Sequence, residues 1–188
     1  MKVLLLDNYD SFTWNLAHLV EQFTQNFEVH RNDKISVAEA ITYDKILLSP
    51  GPGLPAEAGI MPKLIASAAG HCSVLGVCLG MQGIVEHFGG ALINLPEVHH
   101  GEKGQVEVTD TSDPLLKELP SPFEAGLYYS WAAEEKSFPA ELKITARASS
   151  GDIMAVSHRE LDVKGVQFHP ESIMTPVGKK IIENWLSY

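Results

Sequence analysis

The sequence predicts an α/β fold: a doubly wound, mostly parallel central sheet with helices on both faces and an added small antiparallel sheet. Three observations carry this. In the first half, short apolar runs alternate with stretches of helical periodicity, the pattern of strands laid parallel and covered on both faces. In the second half the helical patterns give way to short strands separated by turns, which suits antiparallel pairing. The 188 residues contain no internal repeat, low-complexity tract or linker, so residues 1–188 read as one domain.

Each element follows from its own pattern. Lys2–Leu6, "KVLLL", is a buried strand, and in "SFTWNLAHLVEQF" Leu16, Leu19, Val20 and Phe23 recur at helical spacing. Phe27–Arg31 alternates like a strand, and Lys45–Ser49, "KILLS", is a second buried one. A helix over about Met61 to Ala69 precedes the strand "SVLGV" and a helix opening near Leu79. Gln105–Thr109, Leu127–Trp131, Leu142–Arg147, Ile153–His158 and Val163–Phe168 are expected as the short antiparallel strands. Thr175 followed by Pro176 reads as the cap of a closing helix whose buried face is Ile181, Ile182, Trp185 and Leu186. Trp14 and Trp185 are expected to be core or half-buried.

Composition narrows the function. Net charge is −10, from 24 acids against 14 Lys and Arg, with no basic stripe, so no nucleic-acid partner is expected. No apolar run approaches a membrane span, and the run in "MKVLLLDNYD" is too short for a secretory signal. Cys72 and Cys78 are the only cysteines, too few for a disulfide framework and compatible with a reducing cytoplasm. A Cys72/Cys78 metal pair lacks the spacing of a zinc site.

The most informative stretch is Gly76-Val77-Cys78-Leu79-Gly80. Where a strand turns at once into a helix, the corner residue stands above the strand's carboxyl end, and the residues two places either side must be small. The serine form of this pattern is the nucleophile elbow. A thiol here faces the positive end of the helix and its free N–H groups, which favours thiolate. The Leu79 N–H is placed to stabilise an oxyanion. Taken alone, the five residues are equally compatible with Cys78 as a small buried hydrophobe.

Acyl transfer by a thiolate needs a base, a group to orient it and a second oxyanion donor. In "GVQFHPES" His169 follows a strand and Glu171 lies two residues on, so in extended backbone both side chains point the same way. The alternative is a surface histidine beside a solvated glutamate. "SPGPGLPAEAG", Ser49–Gly59, is too rich in Gly and Pro for helix or sheet and can bring backbone N–H groups close to a ligand. Pro52 has no N–H, which leaves Gly51 and Gly53, with Gly53 the expected oxyanion donor; alone, the segment is also an ordinary turn.

Together, and in this order, "SPGPG", "GVCLGMQ" and "HPES" resemble the class I (triad) glutamine amidotransferases. "DNYDSFTWNL" and "SPGPGLPAEAG" are similar to the small glutaminase component of anthranilate synthase and its para-aminobenzoate synthase relative. The resemblance covers essentially the whole chain. It implies that Cys78 attacks the side-chain amide of L-glutamine, with His169 as acid and base and Glu171 orienting it. It further implies that Gln82 holds the amino-acid end of the substrate, and that Gly51, Pro52, Gly53, Leu79, Ser130 and Trp131 line the glutamine pocket, largely through backbone. Ammonia would pass to a larger chorismate-binding synthase subunit. No cofactor is expected in this chain, and any Mg²⁺ belongs to that partner.

The chain departs from the family pattern at several places. Met81 stands where relatives of this component have His, and Leu127, Tyr129 and Trp131 stand where they carry Arg, His and Leu. His100 matches a family His-Gly segment and is read as a partner contact or a structural residue. These departures keep open a second reading, a regulatory or binding subunit whose glutaminase activity has lapsed. A different cysteine hydrolase on a similar sheet fits "HPES" after a late strand poorly. Between the pathways, "SPGPGLPAEAG" with "MPKL" leans toward anthranilate and "DNYDSFTWNL" slightly toward para-aminobenzoate.

Overall fold

Val3–Asp7 (β1), Lys45–Leu48 (β3), Ser73–Val77 (β4) and Val163–Val166 (β9) are buried at every position and lie side by side in the centre of a nine-stranded sheet. The computed structural model describes all 188 residues. Phe27–Arg31 (β2) closes one edge. The order continues past β9 through Ile153–His158 (β8), Leu142–Ala148 (β7), Leu92–Val108 (β5) and Phe123–Ala133 (β6). β2, β1, β3, β4 and β9 run parallel; β8, β7, β5 and β6 continue the same sheet antiparallel.

The helices are Thr13–Glu21 (α1), Val37–Ala40 (α2), Met61–Ala68 (α3), Leu79–His87 (α4) and Gly178–Ser187 (α5). Because successive strand residues point to opposite faces, the central strands feed two cores. Leu5, Leu47 and Leu75 pack with Leu16, Val20, Ile181, Ile182 and Trp185 of α1 and α5. Leu4, Leu6, Ile46 and Leu48 pack with Met61, Leu64, Ile65, Met81 and Ile84 of α3 and α4. Burying each such Leu or Ile stabilises by about 2 kcal/mol, so these layers fix the strand ends from which the site is built.

Four expectations are corrected. Val163–Phe168 is expected among the antiparallel strands, but β9 pairs parallel with β4 on one side and antiparallel with β8 on the other, so it is the seam of the sheet. β5 begins at Leu92, well before Gln105, because its first arm is an exposed ribbon carrying Pro96 and Gly101, with register shifts at Asn94/His99 and His100/Glu102. Thr175 does not cap α5, which opens at Gly178 after Val177. Instead its hydroxyl donates to the His169 carbonyl (2.6 Å) and accepts from the Gly126 N–H (2.9 Å). Trp14 is 60% exposed, on the outer side of α1, whereas Trp185 is fully buried as expected.

Candidate active site

The cysteine corner is built as the glycines demand. Cys78 caps α4 with φ 51° and ψ −103°, a left-handed conformation costing about 1–3 kcal/mol that only tight surroundings sustain. Its N–H donates to the Val166 carbonyl (2.8 Å), extending the β4–β9 pairing one residue into the turn. A Cβ on Gly76 would press on the Gly80 backbone, and one on Gly80 would come within 2.7 Å of Leu48. Only glycine lets α4 descend onto β4 and β3 here, and that descent lifts the thiol to the sheet's carboxyl edge. The first-turn N–H groups of α4, Leu79 among them, have no partner within the helix.

His169 comes from the turn after β9. Its N–H donates to the Gly126 carbonyl of β6 (3.1 Å), and Thr175 braces its own carbonyl. His169 Nδ1 donates to Glu171 Oε1 at 2.6 Å, with both side chains almost wholly buried. The expected same-side geometry is therefore present. Nε2, the far ring nitrogen, is buried and makes no hydrogen bond, leaving it for proton exchange. Burial, the largest single influence, disfavours the imidazolium, but the Cys78 thiol and the Glu171 carboxylate outweigh it and push His169 up to about 10.

These groups open into a cleft of about 390 Å³ formed by the loops after β1 (Tyr9, Asp10, Ser11, Phe12) and β3 (Pro50, Gly51, Pro52), by Cys78 and His169, and by His100 and Tyr128 of the antiparallel half. Such a crevice, at the carboxyl ends of parallel strands where the strand order reverses, is the usual ligand site of an open α/β sheet. Asn8 ties its two loops together: its N–H donates to Ser49 Oγ and its Nδ2 to the Ser49 carbonyl, both 2.9 Å. Tyr128 tilts over His169 with ring centres 4.8 Å apart, and Phe12 stands edge-on to the imidazole at 6.5 Å. Burial together with the neighbouring carboxylates raises Asp10 at the rim, opposed by the Phe12 N–H and His169.

The expected site residues divide. Gly51, Pro52, Cys78 and His169 line the cleft, Leu79 packs against Gly51, and Glu171 supports His169 from behind. Gly53 and Ser130 are not among its lining residues. Trp131 contributes through its carbonyl, which accepts from Gln82 Nε2 at 2.7 Å. Gln82 itself is buried behind the cysteine, its Nε2 also donating to Gln167 Oε1 at 3.2 Å. Asn8, Phe12 and Gln167 are not singled out by sequence reasoning, and Thr175 only as a helix cap. For Gln167 a clue exists: it is a polar residue between the apolar Val166 and Phe168 at the end of a strand.

A second hollow, of about 470 Å³, lies at the opposite end of the strands, beside Lys45, Cys72, Ser73 and Asp162. Its cysteine is chemically different: burial, with Asp162 and Asp44 adding to it, pushes the Cys72 thiol up to about 11, so it is inert as a nucleophile at neutral pH. No group of three or more His, Cys, Asp or Glu is arranged to hold a metal ion. No helix is long and apolar enough to cross a membrane.

A strained cysteine facing a buried histidine–glutamate pair over a parallel sheet is the apparatus of thiol-dependent acyl transfer. Within that class, the chain belongs to the class-I glutamine amidotransferase family, whose profile matches residues 4–187. It is 46% identical over 192 aligned residues to anthranilate synthase component 2 of Mycobacterium tuberculosis, covering all of this chain and 82% of that one. It is 39% identical over 186 residues to aminodeoxychorismate synthase component 2 of Escherichia coli, covering 98% of each. With the aminodeoxychorismate/anthranilate synthase component 2 of Bacillus subtilis it shares 38% over 186 residues, 98% of this chain and 95% of that one. The fold matches a GMP synthase component from Thermoplasma acidophilum, with a TM-score of 0.89 at 23% identity over 99% of this chain and 92% of that one.

Proposed function

We propose that this chain is the glutaminase component of a chorismate-aminating synthase, with Cys78 as nucleophile. The observation that carries the reading is the meeting of Cys78 and His169 in one cleft, with Glu171 bonded to His169 behind it, in a chain whose residues 4–187 match the family. Cys78 Sγ attacks the side-chain amide carbon of L-glutamine. The oxygen that becomes negative is held by the Leu79 N–H and a backbone amide of Gly51–Gly53. Protonated His169 gives its proton to the departing nitrogen, so ammonia leaves and a γ-glutamyl thioester remains. The now neutral His169 takes a proton from water, which attacks the thioester and frees glutamate and the Cys78 thiolate, with His169 protonated as at the start. Glu171 keeps the imidazole oriented and supports its positive charge throughout. Gln82, with its nitrogen spent on Trp131 and Gln167, has only Oε1 to offer the amino-acid end of the substrate. This chemistry needs no cofactor in the chain; Mg²⁺ belongs with the partner.

Ammonia released here passes to a larger synthase subunit that binds chorismate. Exposed apolar side chains support a partner seated on the cleft: Tyr9 and Phe12 line it, while Trp14, Val98 and Ile173 stand two residues from Phe12, His100 and Glu171. Anthranilate is the favoured product, because "SPGPGLPAEAG" with "MPKL" and the 46% identity to an anthranilate synthase component lean that way. The test is ammonia release from glutamine by the chain alone and with each candidate synthase subunit, chorismate present and the aromatic product identified. Stimulation by one subunit, with its product formed from glutamine, establishes both role and pathway.

One observation favours the second reading, a lapsed regulatory subunit. The Cys78 thiol donates to the Tyr128 carbonyl (3.9 Å), a bond only the protonated sulfur makes, while His169 Nε2 has no partner. The same experiment separates the two. No glutamine hydrolysis with either subunit, while each still uses free ammonia, selects the lapsed subunit.

A further inference from the structure

Behind the nucleophile runs a chain of two buried amides. Gln167 is wholly inaccessible and Gln82 nearly so. The Trp131 carbonyl can only accept, so the end of Gln82 lying 2.7 Å from it must be the NH₂. That same nitrogen lies 3.2 Å from Gln167, which must therefore turn its oxygen toward Gln82. The remaining atom of Gln167, its Nε2, is then directed at Cys78 Sγ, at 3.5 Å. Gln167 is itself held in place by its backbone N–H, which donates to the Met154 carbonyl at 2.8 Å. One backbone carbonyl thus dictates the polarity of both side chains.

We propose that Gln167 is a positioning residue for the nucleophile: an N–H donor to the Cys78 sulfur whose direction is set by the Trp131 carbonyl through Gln82. A donor at sulfur favours the thiolate over the thiol, since the charged form accepts the stronger bond. It also fixes the Cys78 rotamer through its bond to the sulfur. The device explains a buried polar residue at the strand end, where an unmatched amide would be destabilising. It also makes the Trp131 backbone, not its side chain, the part that matters, so the departure from the family leucine leaves the relay intact.

The inference rests on Cys78 being the nucleophile, but its test reads the thiol whether or not glutamine is hydrolysed. The rate of carbamidomethylation of Cys78 by iodoacetamide is followed against pH in the intact chain, with the Cys78 peptide quantified by mass spectrometry so that Cys72 does not interfere. The titratable groups around the thiol are His169 with Glu171 behind it, Tyr129 within electrostatic reach, and Asp10, His100, Tyr9 and Tyr128 in the same cleft. All stay in place in the variants used. Gln167→Met, which keeps the length and loses the donor, is expected to raise the midpoint by about one pH unit, slowing alkylation about tenfold below it. Gln167→Glu keeps the shape and sets a carboxylate oxygen at the sulfur, and is expected to raise the midpoint further. Gln82→Met, which never touches sulfur, is expected to give a smaller rise because Gln167 is freed to rotate. An unchanged midpoint in Gln167→Glu overturns the proposal, as do variants that lower thermal stability without moving the midpoint. If Gln167→Met does not fold, the other two decide. Failure of the nucleophile reading is separate: it shows as glutamine hydrolysis surviving in Cys78→Ala.

Discussion

β1, β3, β4 and β9 are buried along their whole length, whereas of the seventeen residues of β5 only Val106 is buried. The parallel half carries the reacting groups: Cys78 on the β4–α4 corner, His169 just past β9, and the loop from β3. The antiparallel half supplies a wall, His100 and Tyr128, and the backbone points that hold His169 and Gln82. Leu127, Tyr129 and Trp131, the departures from the family pattern, fall on β6 of that half. There Tyr129 turns its hydroxyl away to Asp152 (3.0 Å) and stacks on His99, 4.7 Å between ring centres. The reacting groups thus stand on the fully buried parallel strands, while three of the four departures fall on β6, where Leu127 and Tyr129 are still buried; the fourth, Met81, packs wholly buried on α4.

Five substitutions break or sharpen this contrast. Cys78→Ala, at the heart of the parallel half, is expected to lower glutamine hydrolysis by about 10⁴-fold or more while the chain still unfolds cooperatively; steady-state ammonia release and urea denaturation measure the two. Next come the glycines. Gly76→Ala sets a methyl against the Gly80 backbone, which cannot yield, and is expected to cost about 3 kcal/mol. Gly104→Ala in β5 meets only the end of the Leu127 side chain and is expected to cost about 1 kcal/mol or less. Equal costs, read as urea midpoints, would remove the distinction between a rigid and a yielding half.

Glu171→Gln tests the charge pair and is expected to lower kcat about 10²-fold. Because His169 is raised from its ordinary 6.5 to about 10, the stability it contributes is complete below about pH 6.5 and is lost as pH rises through about 10. The stability gap between the native chain and Glu171→Gln is therefore expected to be widest near pH 6 and to narrow toward pH 10, in urea curves at several pH values. A gap independent of pH means Glu171 acts by packing alone. The smallest effect is on the surface: Trp14→Ser is expected to change stability by no more than about 0.5 kcal/mol yet weaken stimulation by the synthase subunit. Undiminished stimulation places the partner elsewhere.

The parallel half is legible in the sequence because its strands bury both faces and so read as unbroken apolar runs, "VLLLD" and "KILL" among them. The cysteine corner is legible for a steric reason, since Gly76 and Gly80 occupy the two places where a side chain cannot fit. The antiparallel half is less so. The first arm of β5 has no buried face to impose alternation, and Thr175, which resembles a helix cap, is recruited by His169 instead. Gly53 illustrates the limit for loops: a chemistry can demand an amide donor without local sequence deciding which amide is nearest. Gln167 escapes sequence reasoning because its role depends on Gln82 and Trp131, distant in sequence and joined only by the fold.

The most direct test of the central claim is to trap the intermediate. The chain, with its synthase subunit, is mixed with labelled glutamine, quenched in acid during turnover, digested and examined by mass spectrometry. A γ-glutamyl group on the Cys78 peptide, absent from the Cys72 peptide and lost in Cys78→Ala, is the expected result. Ammonia released at full rate with no label on Cys78 would contradict the assignment of this corner as the nucleophile.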